Sequence, residues 1–570
     1  MKTRLLVIIC FLSSSLLFGQ IPKGTLSMED TDFSGYFLNV AQIPVVKGKI
    51  INLSPDDLQK IKVSYSIVTP FSELQNNKVT NVNSDGTFNL QLEYPFPYQQ
   101  IWLRIGDTLY TCLYANTDLY IELDAEKIDK KNGIHFNGNG IKFLGSDGEL
   151  NAFFNNHILF KRNQKLEISK EISMLRKNKQ LSDKEFLLKY DELYSKLQEI
   201  DNEFILKDPS IYAWVIENER MSQYYGELCV IHWGKTMSNE LWEKVKNHKS
   251  YFTSNDGMLF YKYLYNYVST FAEKGQIQDW NIFRGYSAID STGKNIIDSI
   301  NYYQKLKNQQ QNFNSKSFNA LIRQANTTFS DTITSIKTLK TIKFLDSIFE
   351  PAKADFLKIM MDNKEPEKQK IISGIVLTHM STAWCQNIVN SEYQQTIDKL
   401  KTINSILSQS KPISSFASFG EPVAELSFGA KLYKVNNLMA TELLANLKNS
   451  FDDKAILIDF WATWCAPCLS ELPYSKRLHE SSKDLPIEFV YLCTSSGSNI
   501  DKWKSRIVEL EVPGTHIFVE AAIENELMKL FSASGFPSIV FIDSNGVYKP
   551  GVIKMISRTD RNILTGLINK

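Results

Sequence analysis

Residues 455–468 have the sequence AILIDFWATWCAPC, and the fold of the C-terminal part of the chain can be derived from them. The first eight residues are almost all apolar and include one acid, Asp459, which is typical of a buried central strand. The chain then reaches Cys465 and Cys468, and a helix is predicted from Leu469 to Glu480. The pattern therefore predicts two cysteines at the junction between a buried strand and a helix.

This position gives the two cysteines their chemistry. A cysteine at a helix N-terminus lies at the positive end of the helix dipole and beside unpaired backbone N–H groups, which favour the thiolate. Such sites lower a thiol pKa into a range of roughly 3.5–7.5. The two intervening residues bring Cys468 within disulfide reach of Cys465, and Pro467 is tolerated in the first helical turn. The motif therefore predicts a pair that exchanges disulfides.

The rest of the C-terminal part alternates between strands and helices. Strands are predicted at 487–494, 515–520, 538–542 and 547–554, and helices at 499–510, 523–531 and 559–568. Asn545 and Gly546 form a strong hairpin signal before the last of these strands. This alternation indicates an α/β fold.

The motif resembles a known family. The residues from Ile458 to Cys468, followed by Glu471 and Pro473, are similar to the thioredoxin-like thiol:disulfide oxidoreductases of the TlpA/ResA type. Members are exported proteins that are often linked to cytochrome c maturation, and some are large and multidomain. The resemblance covers residues 411–570 and implies a thioredoxin fold there.

The resemblance also implies roles for individual residues. Cys465 corresponds to the attacking nucleophile and Cys468 to the resolving cysteine. Asp459 corresponds to the buried acid of the family, and Glu471 to the glutamate three residues after the second cysteine. We expect Asp459, with Glu471 acting through water, to accept the proton of Cys468. An unpaired acid in an apolar strand, such as Asp459, is costly unless it has a role.

Three further residues are expected to bind the substrate. Pro537 corresponds to the cis-proline that faces the disulfide in the family, although sequence alone leaves open whether it is cis or trans. Trp464 directly precedes Cys465. Phe536 departs from the family pattern as a bulky residue before the proline, and it is expected to reshape the substrate groove.

The N-terminus predicts export. Lys2 and Arg4 precede an apolar stretch from Leu5 to Phe18, which is shorter than the ~20 residues of a membrane-spanning helix and typical of a cleaved signal. Residues 1–20 are therefore predicted to be a signal peptide, and the mature protein to be soluble in the periplasm or otherwise outside the cytoplasm. Basic and acidic residues are nearly balanced, with a formal net charge of +1. Binding to phosphate groups needs a clustered basic field, so no nucleic-acid partner is predicted.

Two other regions precede the redox region. Residues 21–145 are predicted to form an antiparallel β-sandwich, because apolar residues alternate in short runs between turns. These residues are Ile61, Val63, Tyr65, Ile67, Phe88, Leu90, Leu92, Ile101, Leu103, Ile105, Leu119, Ile121 and Leu123. Residues 146–410 are predicted to be α-helical, with a capping box at Ser182 and Glu185 and helical segments around 211–233, 296–306 and 371–389. A Ser- and Pro-rich linker, 408–420, precedes the redox region.

The remaining cysteines do not suggest a disulfide scaffold. Cys112 is expected to be a packed strand residue and Cys493 a buried thiol, while a disulfide between Cys229 and Cys385 is left open. A zinc site would need a second cysteine or histidine pair at ligand spacing, and the seven histidines are scattered. Neither a metal nor a cofactor is predicted.

The favoured function is reduction of protein disulfides, with electrons from a membrane thiol-disulfide carrier. The direction is not fixed by the Ala-Pro dipeptide, and the resemblance favours a reductase. A thiol peroxidase is an alternative, although Ile458 and Ala462 stand where peroxiredoxin chemistry places proline and threonine. A second alternative is that the region before the linker is a substrate-binding or chaperone-like module and the redox domain is an accessory.

Overall fold

The computed structural model describes residues 43–67, 76–92, 99–106, 109–128, 138, 140–164, 167–178, 180–250, 254–272, 280, 283, 291–309, 313–363, 365–413, 417–435, 438–533 and 535–569. The predicted signal peptide lies outside these residues. Within them, no helix combines the length and the apolar character that crossing a membrane requires.

The chain divides into two compact units. The first comprises Met1–Gln276, Lys337–Asn363 and Ile372–Glu392, and the second comprises Ile277–Ile336, Lys364–Ile371 and Tyr393–Lys570. The four-part division predicted from the sequence, with boundaries after residues 20, 145 and 410, stays a prediction.

The described residues of the first unit begin with a β-sandwich. Its strands are β1 Val45–Ile51, β2 Lys62–Ile67, β3 Asn76–Asn81, β4 Thr87–Gln91, β5 Gln99–Ile105, β6 Leu109–Ala115, β7 Asp118–Asp124 and β8 Ile141–Leu144, and a one-turn helix, α1 Pro55–Leu58, follows β1. They form two sheets, ordered β4-β1-β7-β8 and β3-β2-β5-β6. Alternate side chains from both sheets, such as Leu103 and Leu119, share one buried core, which confirms the sandwich.

One strand pairing differs from the antiparallel expectation. Strands β1 and β7 run parallel, with Val45 opposite Asp118 and Ile51 opposite Asp124. Parallel neighbours need a long connection, and here the chain passes through five other strands between them. Every other pairing described in the two sheets is antiparallel.

Helices fill the middle of the chain, as predicted. They are α2 Gly148–Asn163, α3 Ile168–Lys177, α4 Asp183–Lys207, α5 Ala213–Ile231, α6 Asn239–Asn247, α7 Asn255–Ala272, α8 Ser291–Asn308, α9 Ser315–Thr328, α10 Ser330–Ile348, α11 Pro351–Ile359, α12 Pro366–Leu377 and α13 Ala383–Ser408. The predicted capping box is confirmed at α4, because Ser182 Oγ accepts the Glu185 N–H and Glu185 Oε2 accepts the Ser182 N–H.

The helical segment predicted for 371–389 is divided into α12 and α13. The buried Asp355 explains the break, since its Oδ2 accepts the backbone N–H groups of Ser381 and Thr382, each at 2.8 Å. These donors precede α13 and have no partner within the helix, so the carboxylate stabilises a new helix start at this point.

The second unit contains a seven-stranded sheet within its described residues. Its strands are β9 Glu421–Glu425, β10 Ala430–Val435, β11 Ala455–Trp461, β12 Ile487–Thr494, β13 Gly514–Val519, β14 Ser538–Ile542 and β15 Tyr548–Pro550, in the order β15-β14-β11-β12-β13-β10-β9. The helices around it are α14 Ala440–Ser450, α15 Ala466–Ser481, α16 Ile500–Leu510, α17 Ala521–Leu530 and α18 Arg561–Ile568. The α/β prediction is confirmed.

Each face of this sheet has its own core. Leu457 and Trp461 of β11 pack with residues of α15, α16 and α18. Ile456, Ile458 and Phe460 point to the opposite face and pack with α14 and α17. The strand predicted for 547–554 is shorter than expected, because Pro550 cannot donate a ladder hydrogen bond and Gly551 has a φ of 71°.

Candidate functional site

The two cysteines of the motif lie at the start of α15. Their sulfur atoms are bonded to each other, and their Cα atoms are 5.3 Å apart. Cys465 is the N-cap residue, and its Sγ accepts the backbone N–H of Cys468 at 3.2 Å. An N–H that points at this sulfur, together with the helix dipole, stabilises negative charge on it when the disulfide is reduced. The geometry therefore favours Cys465 as the thiolate of the pair.

Asp459 lies on the cysteine side of the sheet. In β11 it shares a face with Leu457 and Trp461 by strand alternation, and these two residues belong to the same core cluster as Cys465 and Cys468. Asp459 is 3% exposed, and its Oδ1 has no hydrogen-bond partner among the described residues. Burial raises its pKa to about 7, and the charge of Glu471 adds to the effect. Asp459 can therefore take or give a proton near neutral pH.

Glu471 follows Cys468 by one helical turn and is buried. Its Oε2 accepts the backbone N–H of Ser557 at 2.9 Å, which holds a short 3₁₀ turn, Ile556–Arg558, against α15. Its carboxylate thus has a structural contact as well as an electrostatic effect on Asp459. The role of Glu471 in proton transfer stays a prediction.

The expected substrate-binding residues include a pair of contacting rings. The side chain of Trp464 is half exposed, and its Nε1 donates to the carbonyl of Ser496 at 2.7 Å. The Phe536 ring meets Trp464 edge to face, with centroids 5.8 Å apart, and also contacts Phe460. The Phe536–Pro537 peptide bond is cis. The structure therefore brings Phe536 beside the residue that precedes Cys465, and the substrate-binding role of this set stays a prediction.

The loop after β12 belongs to the site and was missed in the sequence. Ser498 Oγ accepts hydrogen bonds from the N–H and the hydroxyl of Thr463, at 3.2 and 3.0 Å. Strands β11 and β12 are parallel neighbours, so their carboxyl ends and the loops that follow meet at one edge of the sheet. The available signal was the Ser-Ser-Gly-Ser run, 495–498, directly after a buried strand.

Gly497 is required for the position of the Trp464 ring. Its φ is 73°, and a Cβ atom there would lie 2.8 Å from Trp464 Nε1. We expect Gly497→Ala to cost about 1–3 kcal/mol of stability and to raise the KM for a protein disulfide, because the ring must move away from the Ser496 carbonyl. Urea unfolding and insulin-reduction kinetics measure the two effects.

Gly429→Ala is the matched control for this substitution. Gly429 has a φ of 88° and nothing within 4 Å of the added Cβ, so this variant carries the backbone strain without the collision. A Gly497→Ala protein with the same KM as Gly429→Ala would contradict the positioning of Trp464 by Gly497.

The other cysteines in the described residues are free and buried: Cys112, Cys229, Cys385 and Cys493. Burial raises the pKa of Cys112 and of Cys229 to about 12, and it also raises the pKa of Cys385 and Cys493. The disulfide considered between Cys229 and Cys385 is not formed in this structure. Throughout the described part of the chain, no group of three or more His, Cys, Asp or Glu side chains is arranged to hold a metal ion.

Comparison with known proteins gives matches in the same region. The Redoxin family matches residues 435–558. The thiol-disulfide oxidoreductase ResA of Oceanobacillus iheyensis is 23% identical over 147 residues, covering 22% of this chain and 67% of the relative. ResA of Bacillus thuringiensis subsp. konkukian is 28% identical over 98 residues, covering 17% of this chain and 53% of the relative. The chain therefore spans between half and two thirds of the length of these curated relatives.

A solved structure is also similar to this region. It is the thioredoxin domain of a thiol-disulfide oxidoreductase from Bacteroides vulgatus, which is 22% identical and has a TM-score of 0.18. The match covers 21% of this chain and 79% of that chain. Residues 435–558 of the chain thus match the Redoxin family, and this region is similar to thiol-disulfide oxidoreductases of the ResA type.

Proposed function

We propose that the chain is a thiol:disulfide oxidoreductase that reduces disulfides in other proteins outside the cytoplasm. The observation that carries the proposal is the bonded Cys465–Cys468 pair at the N-terminus of α15, with the Cys468 N–H directed at Cys465 Sγ. The match to the Redoxin family and the names of the curated relatives support the same activity.

The reaction uses the reduced pair and moves two electrons to the substrate. The Cys465 thiolate attacks one sulfur of the substrate disulfide, forms a mixed disulfide and releases the other substrate sulfur as a thiolate. Cys468 then loses its proton and attacks Cys465 Sγ, which closes the internal disulfide and releases the second substrate thiolate. Asp459 is the proton acceptor in this proposal, because its pKa of about 7 allows it to be ionised near neutral pH.

The pair must be reduced again after each cycle. We propose a membrane thiol-disulfide carrier as the electron source and cytochrome c maturation as a process that uses the activity. Both follow from the resemblance to TlpA/ResA-type proteins. The N-terminal signal pattern at residues 1–20 supports a location outside the cytoplasm.

Direction is tested by measuring both half-reactions with the full chain. We expect the chain to accelerate the reduction of insulin disulfides by dithiothreitol more than it accelerates the oxidation of reduced ribonuclease A by oxidised glutathione. Equilibration with glutathione buffers should give a reduction potential more negative than that of glutathione. A difference of about 30 mV shifts the two-electron equilibrium by about 1.4 kcal/mol, so even a small difference in potential decides the direction. Faster oxidation than reduction would contradict the reductase direction, and the absence of both would contradict the proposed function.

A further inference from the structure

The first unit contains a cavity whose lining includes neither Cys465 nor Cys468. Its volume is about 920 Å³, and it is lined by residues of β5, β6, α2, α4, α5 and the start of α7. A space of this size is sufficient to enclose most of a small organic ligand. The exposed residues Arg162 and Glu167 mark its rim.

Part of the charge in the cavity is already paired within the protein. Asp201 Oδ1 lies 2.8 Å from His157 Nε2, and Asp201 Oδ2 accepts from Arg220 Nη1 at 2.7 Å. Burial lowers the pKa of His157, so the ring is neutral near pH 7. Asp201 and Arg220 therefore balance each other, and at the rim Arg162 and Glu167 have opposite charges.

Two further carboxyl groups in the cavity have fewer hydrogen-bond and charge partners within the protein. Glu219 is 8% exposed, and its one hydrogen bond within the described residues is from Ser254 Oγ to Oε1, at 2.6 Å. Asp256 has no hydrogen bond there. Burial raises the pKa of Asp256 to about 6 and that of Glu219 well above its usual range, with repulsion by Asp256 adding to the latter. Lys161 attracts both carboxyls, so ionising both leaves excess negative charge in the cavity.

Aromatic side chains also line the cavity. Tyr114 and Phe154 meet edge to face with ring centroids 4.6 Å apart, and Trp102 is stacked on Tyr110. Trp102 Nε1 is buried and has no hydrogen-bond partner among the described residues. Aromatic faces attract organic cations.

We propose that this cavity binds a small organic cation, a primary amine or guanidinium attached to an aromatic or apolar body. The cation lies at Glu219 and Asp256, where its charge allows both carboxyls to be ionised beside the single charge of Lys161, and the body packs on Trp102, Tyr114 and Phe154. The site is independent of the redox proposal, since each of these residues belongs to the first unit.

The test compares three probes of matched shape on the full chain by isothermal titration calorimetry. They are tyramine, its neutral analogue tyrosol and its anionic analogue 3-(4-hydroxyphenyl)propionate. We expect tyramine to bind with a Kd at least about tenfold lower than that of tyrosol, and the anion to bind most weakly. Equal affinities for the three, or no saturable binding up to about 10 mM, would overturn the proposal.

Charge-neutral variants locate the cation. Glu219→Gln and Asp256→Asn should each weaken tyramine binding by about tenfold and leave tyrosol binding unchanged, whereas the rim variant Glu167→Gln should bind tyramine like the wild type. Wild-type tyramine affinity in both Glu219→Gln and Asp256→Asn would overturn the proposal. Tyrosol binding equal to that of the wild type shows that the first unit of each variant is folded, and unchanged insulin reduction shows the same for the second unit.

A final titration distinguishes a free amine from a basic peptide as the source of the cation. A Gly-Arg-Gly tripeptide, acetylated and amidated at its ends, presents the cation on a peptide side chain. Tighter binding of the tripeptide than of tyramine supports a basic peptide as the ligand, and the reverse supports a free amine. Binding of neither is the outcome that rejects the site.

Discussion

Cys465→Ser is expected to lower the rate of insulin-disulfide reduction by on the order of 10³-fold or more. Cys465 is the sulfur that accepts the Cys468 N–H at the N-terminus of α15, and a serine hydroxyl at this position cannot form the mixed disulfide. The turbidity of precipitating insulin chains, followed with dithiothreitol as reductant, measures the loss. Normal activity in this variant would rule out the proposed mechanism.

Cys468→Ser should behave differently, because attack on the substrate is retained and resolution is lost. We expect mixed disulfides between Cys465 and substrate proteins to accumulate and to be visible on non-reducing gels. Cys493→Ala is the matched control, since Cys493 lies in β12, next to the strand that leads to the motif, but is buried and free. This control should keep wild-type activity and trap nothing.

Asp459→Asn is expected to stabilise the second unit and to slow its chemistry. The folded state raises the Asp459 pKa from 3.8 to about 7, so folding favours the protonated carboxyl. Stability is therefore lost as the pH rises from the unfolded pKa to the folded pKa, and the full loss is present above pH 7. With about 1.36 kcal/mol for each pH unit, the penalty above pH 7 is on the order of 4 kcal/mol.

The asparagine variant cannot ionise and avoids this penalty. Urea unfolding of the oxidised chain should show the variant and the wild type close together at pH 4, with the variant becoming the more stable as the pH rises to 8. Asp543→Asn is the control, and its effect on stability should have the opposite dependence on pH. Asp543 accepts two backbone N–H groups and has a lowered pKa, so its ionised form stabilises the folded state. A constant stability difference between Asp459→Asn and the wild type across this pH range would contradict the raised pKa.

The same variant should resolve mixed disulfides about 10²-fold more slowly. In the wild type, resolution should accelerate as the pH rises through about 7, where Asp459 becomes ionised and can accept the Cys468 proton. The variant should lack this inflection. Stopped-flow measurement of mixed-disulfide decay from pH 5 to 9 compares the pH dependence of the resolution rate in the two proteins. An unchanged inflection in the variant would mean that a group other than Asp459 accepts the proton.

The second unit was predictable where the local pattern was strong. The all-apolar run of β11 and the Cys-Ala-Pro-Cys motif led to the strand, the helix and the cysteine pair. Strands β9 and β10 and helix α14 were not predicted, because the short segment AKLYKV of β10 alternates poorly. Its strand conformation depends on pairing with β13, far away in sequence.

The supporting residues of both sites depend on contacts that a linear pattern does not contain. Gly497 is required only because the parallel pairing of β11 and β12 brings its loop to Trp464. Glu219 has the sequence context of a solvated helix residue, and its burial becomes apparent only when α5 packs against α7. Asp459 was identifiable from its apolar strand, but its missing hydrogen-bond partner and raised pKa required the structure.

The burial of Cys112, Cys229, Cys385 and Cys493 has a practical consequence. An alkylating reagent applied to the native protein reacts with accessible thiolates, and these four thiols are both enclosed and protonated at neutral pH. In a protein without residues 1–20, and hence without Cys10, mass spectrometry after brief iodoacetamide treatment should find zero labels on the oxidised form and one label, on the Cys465 thiolate, on the reduced form, because Cys468 is only 1% exposed. The number of attached labels would then report the redox state of the whole population directly, with no cysteine needing to be removed.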